Sequence, residues 1–220
     1  NMIQGAIFDV DGTLLDSMSV WANIGADYLR FLGYEPRENL NETFKSMSLY
    51  QAACYYQSEY GVTLSTEEII AGVNDRIGQF YRERAGLKPG VAGFLRQLRE
   101  KGVKMCIATA TDRPLVEAAL ERCGVLAYFS DIFTCFSVGH GKDEPVIYRT
   151  ALEHLQTARA KTIVFEDALY AARTARRDNF VTAAVYDAYE KHQAELRAAA
   201  DLYITDFTDW KSFWDFASQL

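Results

Sequence analysis

The sequence predicts an α/β protein: a doubly wound, Rossmann-like parallel sheet interrupted near its start by an all-helical insertion. Three observations carry that expectation. From Lys88 onward, short apolar runs alternate with amphipathic stretches, the pattern of strands and crossover helices in a sheet covered on both faces. Residues 18 to about 84 show helical periodicity and no strong strand. Several apolar runs end in polar residues, at the strand edge where open α/β sheets bind ligands.

The elements follow in order. Met2–Phe8, with β-branched Ile3 and Ile7, reads as a buried strand running into Asp9-Val10-Asp11-Gly12-Thr13. Asn1, ahead of Met2, reads as a remnant of cloning. In the insertion, Trp21, Ile24, Tyr28, Leu29 and Leu32 recur at helical spacing, followed by helical stretches at Leu49–Tyr60 and Ile69–Tyr81. Ser65-Thr66-Glu67-Glu68 reads as a helix start, with a hydroxyl cap and acids in the first turn. After Lys88-Pro89-Gly90 come a helix at Val91–Lys101 closed by Gly102, a strand at Val103–Ala108, and a helix at Arg113–Cys123 closed by Gly124. A short strand at Ile132–Phe136 and a helix at Pro145–Leu155 lead to a strand at Thr162–Phe165, which ends at Glu166-Asp167. A helix at Ala168–Arg177 stops at Asn179, and strands at Val181–Val185 and Leu202–Ile204 flank a helix through Glu190–Ala200. The expected division is a core of residues 1–17 and 85–220 and a helical insertion of residues 18–84.

Composition narrows the function. Hydrophobic residues are 49% of the 220, enough for a proper core. The net charge is −7, and no basic stripe marks a nucleic-acid binder; the arginines around Arg173, Arg176 and Arg177 read as a solvated helix face. The four cysteines, Cys54, Cys106, Cys123 and Cys135, have neither CxxC nor zinc-ligand spacing and read as free thiols. No signal peptide or membrane-spanning run is visible, so a reducing, cytoplasmic setting is expected, with no nucleic-acid or membrane partner. No heptad seam appears, leaving a monomer or a small homo-oligomer.

The polar strand ends carry the chemistry: Asp9 and Asp11, then Thr109, then Lys142, then Glu166 and Asp167. Asp9 offers a carboxylate able to attack phosphorus. Asp11, two residues on, could act as general acid and then base. Gly12 permits a sharp turn with backbone N–H groups toward a phosphate, and Thr13 adds a hydroxyl or caps the turn. Thr109 could donate to a phosphate oxygen, and Lys142 could supply a fixed positive charge. Asp9, Asp167 and Glu166 offer the hard oxygens that Mg²⁺ takes. Singly, each also has a plain structural role: turn residue, helix cap, or surface lysine. Their joint order along the chain points to phosphoryl chemistry.

These residues resemble the motifs of the haloacid dehalogenase-like (HAD) phosphatase superfamily: Asp9-Val10-Asp11-Gly12-Thr13, Thr109 after its strand, Lys142 before Pro145, and Glu166-Asp167. The likeness covers essentially the whole chain, and the insertion is similar to the cap of the β-phosphoglucomutase-like branch. The resemblance implies an HAD core with an inserted all-helical cap domain. It also implies Asp9 as nucleophile, Asp11 as acid/base, and Mg²⁺ held by Asp9, the Asp11 carbonyl and Asp167 with Glu166 nearby. Thr109, Lys142 and Gly12 would bind the phosphoryl group. The chain departs from the pattern at Asp143, Ala168 and Ala171. In the cap, Trp21 stands where the sugar-phosphate mutase has a His, and Leu49 where it has an Arg. Lys45, the internal cap lysine, is not at a spacing that suggests the Schiff-base chemistry of the phosphonate-cleaving branch.

The expectation is a Mg²⁺-dependent phosphatase acting on a small phosphorylated metabolite through an aspartyl-phosphate, with Trp21, Tyr28, Asn74 and Arg76 as candidates for setting specificity. A phosphomutase and a non-catalytic binder of phosphorylated ligands are the alternatives.

Overall fold

In the computed structural model, which describes residues 2–220, the apolar runs become strands of one parallel sheet. Asn1, and with it the cloning-remnant reading, lies outside the described residues. The chain forms β1 (Gly5–Phe8), a two-residue β2 (Leu15–Asp16), then helices α1 (Met18–Phe31), α2 (Leu40–Phe44), α3 (Leu49–Tyr60) and α4 (Thr66–Glu83). It continues through β3 (Gly86–Leu87), α5 (Val91–Glu100), β4 (Lys104–Thr109), α6 (Arg113–Arg122), β5 (Ile132–Thr134), α7 (Cys135–Val138) and α8 (Val146–Leu155). The last elements are β6 (Thr162–Glu166), α9 (Leu169–Arg177), β7 (Val181–Val185), α10 (Gln193–Ala199), β8 (Leu202–Ile204) and α11 (Trp210–Ala217). Among the described residues, no helix is long and apolar enough to cross a membrane.

Six strands pair in the order β5-β4-β1-β6-β7-β8, all in parallel. The chain adds strands to one side of β1 and then to the other, so the order reverses there. Such a reversal opens a crevice beyond the carboxyl ends of the strands. β2 and β3 make a short antiparallel ribbon of their own.

Period-two alternation sends side chains to both faces. Phe8 stacks on Phe165 at 4.5 Å and 8°. Phe94 of α5 packs edge-on against Phe165, and Phe213 of α11 packs edge-on against Phe94. The neighbouring residues Ile7, Cys106 and Val164 face the other way, onto Ile147, Tyr148 and Phe180. Each buried phenylalanine contributes about 1.5–3 kcal/mol, so this two-sided core holds the site's strands in fixed register.

The chain divides into two compact units, residues 1–16 with 85–220 and residues 17–84. The second unit is α1–α4, packed on Leu29, Tyr56, Ile69, Val73 and Ile77. Ser65 accepts from the Glu68 N–H and Glu68 returns the contact, a capping box. Ser48 and Gln51 do the same for α3.

Two local expectations need correction, and one helix is new. The strand expected over Ile132–Phe136 stops at Thr134. Thr134 caps α7 instead, accepting from the Ser137 N–H at 2.9 Å, and Phe136 is left 89% exposed. The helix expected from Glu190 begins at Gln193, because the Glu190 carboxylate accepts from the Leu169 N–H at 2.6 Å, at the start of α9. The C-terminal α11, capped by Asp209, had no counterpart in the sequence reading.

Candidate active site

Parallel pairing brings three strand ends together. Phe8 is in register with Ile107 of β4 and Phe165 of β6, so Asp9, Thr109 and Glu166-Asp167 lie at one edge. The turn after β1 is closed by backbone bonds. Thr13, Leu14 and Leu15 N–H groups all donate to the Val10 carbonyl at 2.9–3.2 Å. Gly12 takes φ 83, a left-handed conformation that favours glycine. Its N–H donates to the Leu15 carbonyl at 3.0 Å. Gly12 therefore shapes the turn, and the expected N–H toward a phosphate is already engaged.

Lys142 is 3% exposed. It donates to Asp9 Oδ1 at 2.6 Å and to Glu166 Oε2 at 2.9 Å. The Thr13 hydroxyl lies 2.9 Å from Asp9 Oδ2 and 3.2 Å from Asp167 Oδ1. With one proton it donates to one of them at a time. Asp11 is held from β4's side: the Thr111 hydroxyl donates to Asp11 Oδ2 at 2.5 Å, and the Thr111 N–H donates to Thr109 Oγ1 at 3.1 Å. The Tyr148 hydroxyl donates to Glu166 Oε2 at 2.8 Å. Thr111 and Tyr148 were absent from the sequence reading. Thr111 carries a faint signal, two residues past Thr109, whereas Tyr148 resembles any core aromatic on an apolar helix face.

Asp9, Glu166 and Asp167 are all buried, and their carboxylate oxygens lie within 4.8 Å of one another. The Asp11 carboxylate is not part of that trio. One ammonium among three buried carboxylates leaves an excess of negative charge. Burial and then Asp9 push the Glu166 carboxyl up, against the pull of Lys142. Burial and Asp9 likewise push Asp167 well above the usual carboxylate range. For Lys142, burial opposes the charge, but Asp9 and Glu166 outweigh it and hold the ammonium protonated. A clustered set of hard oxygens with surplus negative charge fits a divalent cation such as Mg²⁺.

In the helical unit, Tyr28 is 3% exposed and stacks on Tyr56 and Phe31, which makes it a core residue of that unit. The Arg76 guanidinium sits 4.3 Å over the Phe31 ring. The Trp21 indole N–H donates to the Tyr81 hydroxyl at 2.7 Å, and Asn74 and Trp21 both line a cavity. Lys45 pairs with Glu42 on the surface.

A parallel sheet with this cluster at its switch point is the arrangement of a phosphoryl-handling hydrolase, and the comparisons agree. The haloacid dehalogenase-like hydrolase family matches residues 3–177. The chain is 27% identical over 208 residues to validoxylamine A 7'-phosphate phosphatase of Streptomyces hygroscopicus subsp. limoneus, covering 94% of this chain and 96% of that protein. It is 25% identical to a phosphorylated carbohydrates phosphatase of Thermotoga maritima, covering 75% and 76%. Among solved structures, a candidate β-phosphoglucomutase of Thermotoga maritima superposes with a TM-score of 0.81 at 23% identity, covering 92% of this chain and 94% of that one; that likeness is one of fold. The chain belongs to the haloacid dehalogenase-like hydrolase family. It is an enzyme, a phosphoric monoester hydrolase.

Proposed function

We propose that this phosphatase hydrolyses a small phosphorylated metabolite of the sugar type, with Mg²⁺, through an aspartyl-phosphate on Asp9. The observation that carries the reading is the buried cluster itself: Lys142 on Asp9 at 2.6 Å, with Glu166 and Asp167 alongside. The named relatives act on a validoxylamine phosphate and on phosphorylated carbohydrates, which supports the substrate class. Residues 1–17 and 85–220 carry the chemistry in this reading, and 18–84 form the cap domain. The substrate is the partner required; cytoplasmic residence goes with four free cysteines.

Each side chain has a part. A carboxylate oxygen of Asp9 attacks phosphorus, and the bond from phosphorus to the ester oxygen breaks. Asp11, oriented by Thr111, gives its proton to the departing alkoxide. Asp11 then takes a proton from water, whose oxygen attacks phosphorus as the bond to Asp9 breaks. This returns the Asp9 carboxylate and releases inorganic phosphate. Lys142 and Thr109 face the phosphoryl oxygens, and Lys142 offsets their charge in a desolvated place. Glu166 accepts from Lys142 and Tyr148 and so fixes the ammonium. Asp9, Asp167, Glu166 and the Asp11 carbonyl would hold Mg²⁺, which supplies positive charge against the phosphate and carboxylates.

The test is chemical trapping. Acid quench during turnover, borohydride reduction and peptide mass spectrometry are expected to find homoserine at position 9. Steady turnover with no reduction product there would overturn the covalent route.

A further inference from the structure

The turn that carries Asp11 is held from outside by a buried ion pair that no step of phosphoryl transfer uses. Lys88 follows β3, whose Gly86 and Leu87 pair with Asp16 and Leu15 of β2. The Lys88 N–H donates to the Leu14 carbonyl at 2.8 Å. Leu15 in turn bridges to Asp11 and accepts from the Gly12 N–H at 3.0 Å. The placing of residues 86–88 is thus passed on to Asp11 and Gly12.

The Lys88 side chain fixes that placing against another part of the sheet. Its ammonium lies 2.7 Å from Asp187 Oδ2 and donates to the Tyr186 carbonyl at 2.9 Å. The two side chains are only 10% and 5% exposed. Asp187 stands just past β7, in a loop with many anchors. Its Oδ1 accepts from the Tyr189 N–H at 2.9 Å, and its carbonyl accepts from the Gln193 amide at 2.8 Å. The Tyr186 N–H donates to the Ile204 carbonyl at 2.9 Å. Through Glu190 and the Leu169 N–H, the same loop holds the start of α9, just after Asp167. Loop 186–193 therefore braces both acidic segments of the site.

Stability alone does not call for charges here. Burying two ions costs about what their attraction returns, and a well-packed apolar pair often stabilises as much or more. What the lysine and aspartate add is direction, because a slip of residues 86–88 would leave both charges short of a partner. A misplacement of about 1 Å can cost about a hundredfold in rate.

We propose that Lys88 and Asp187 are positioning residues that set the Asp11 turn for proton transfer to the leaving group. The part given to Asp11 rests on the phosphatase reading; the brace on the turn does not.

The test uses the full chain with Lys88→Met, Asp187→Asn and the double variant, which removes both charges and leaves neither orphaned. Hydrogen exchange with mass spectrometry reads the brace without catalysis. Amides of residues 10–15 are expected to exchange at least about tenfold faster in each variant with those of β4 unchanged, whereas a loss of global stability would speed both. Kinetics reads the consequence. Phenoxide needs a proton on leaving far more than p-nitrophenoxide does. In each variant kcat/KM is expected to fall at least about tenfold for phenyl phosphate and less than about threefold for p-nitrophenyl phosphate. Asp11→Asn is the reference and is expected to split the two esters more steeply. The proposal is overturned by unchanged exchange over residues 10–15, or by exchange raised equally in β4. Equal losses on both esters in the Lys88 and Asp187 variants, while Asp11→Asn splits them, overturn it too. No split in Asp11→Asn, or no release by wild type, counts against the phosphatase reading, and exchange alone then decides the brace. A variant that fails to fold leaves the other single variant and the double.

Discussion

Tyr148 meets none of the groups proposed to hold phosphate, yet its hydroxyl ends a chain that reaches Asp9. It donates to Glu166, Glu166 accepts from Lys142, and Lys142 donates to Asp9. Removing that hydroxyl leaves a buried carboxylate one donor short, at a cost of about 1–3 kcal/mol. Tyr148→Phe is expected to lower kcat roughly five- to fiftyfold with KM nearly unchanged, measured by steady-state phosphate release. An unchanged kcat would mean that Glu166 holds Lys142 without help. Asp9, Asp11, Glu166 and Asp167 could be singled out from the sequence because charges at the end of an apolar run are conspicuous, and Lys142, on a loop after Gly139-His140-Gly141, only through its order among them. Thr111 and Tyr148 could not, because they act by holding another residue. Tyr148 is 1% exposed, and its partner lies 18 positions away. Only the folded register brings the two together.

At the level of elements, Asp178 at the end of α9 clasps its neighbours. It takes two bonds from Arg149 of α8, at 2.9 and 2.5 Å, and one from Arg159 at 2.8 Å. Hydrogen bonding from Arg149 holds the carboxyl below its usual value, with Arg159 adding to the effect against burial. A depressed folded value means that the clasp stabilises above the unfolded carboxylate range, near pH 3.9, and fades as pH falls through the folded value. Asp178→Asn is expected to cost about 1 kcal/mol at pH 7, a drop of about 2–4 °C in melting temperature. The gap from wild type should close below about pH 3.9. Thermal melts across pH check this, and an equal gap at pH 7 and pH 3 would contradict it. The same scale separates what periodicity reveals from what it hides. Gly102, Gly124 and Asn179 take the left-handed φ of 74, 75 and 63° that ends their helices, as their residue types suggested. Thr134-Cys135-Phe136 reads as β-branched and aromatic, yet one hydroxyl at the right spacing turns it into a helix start. Trp210–Ala217 follows the turn residues Asp206, Thr208 and Asp209, and its apolar positions are too few to stand out until Phe213 is seen in the core.

At the level of the whole molecule, the apolar strands and their covering helices made the parallel sheet legible, since a sheet buried on both faces needs near-continuous hydrophobic runs. Strand order was not legible, because pairing β1 between β4 and β6 depends on how crossovers wind in space. That order puts Asp9 between Thr109 and Glu166. The central claim, a metal-dependent phosphatase working through Asp9, is tested most directly by phosphate release. The assay sets p-nitrophenyl phosphate and a panel of sugar and polyol phosphates against wild type and Asp9→Asn, each with Mg²⁺ or with EDTA. The account predicts release that needs Mg²⁺ and falls at least about a thousandfold in Asp9→Asn. Equal release by the variant, or release indifferent to EDTA, would contradict it.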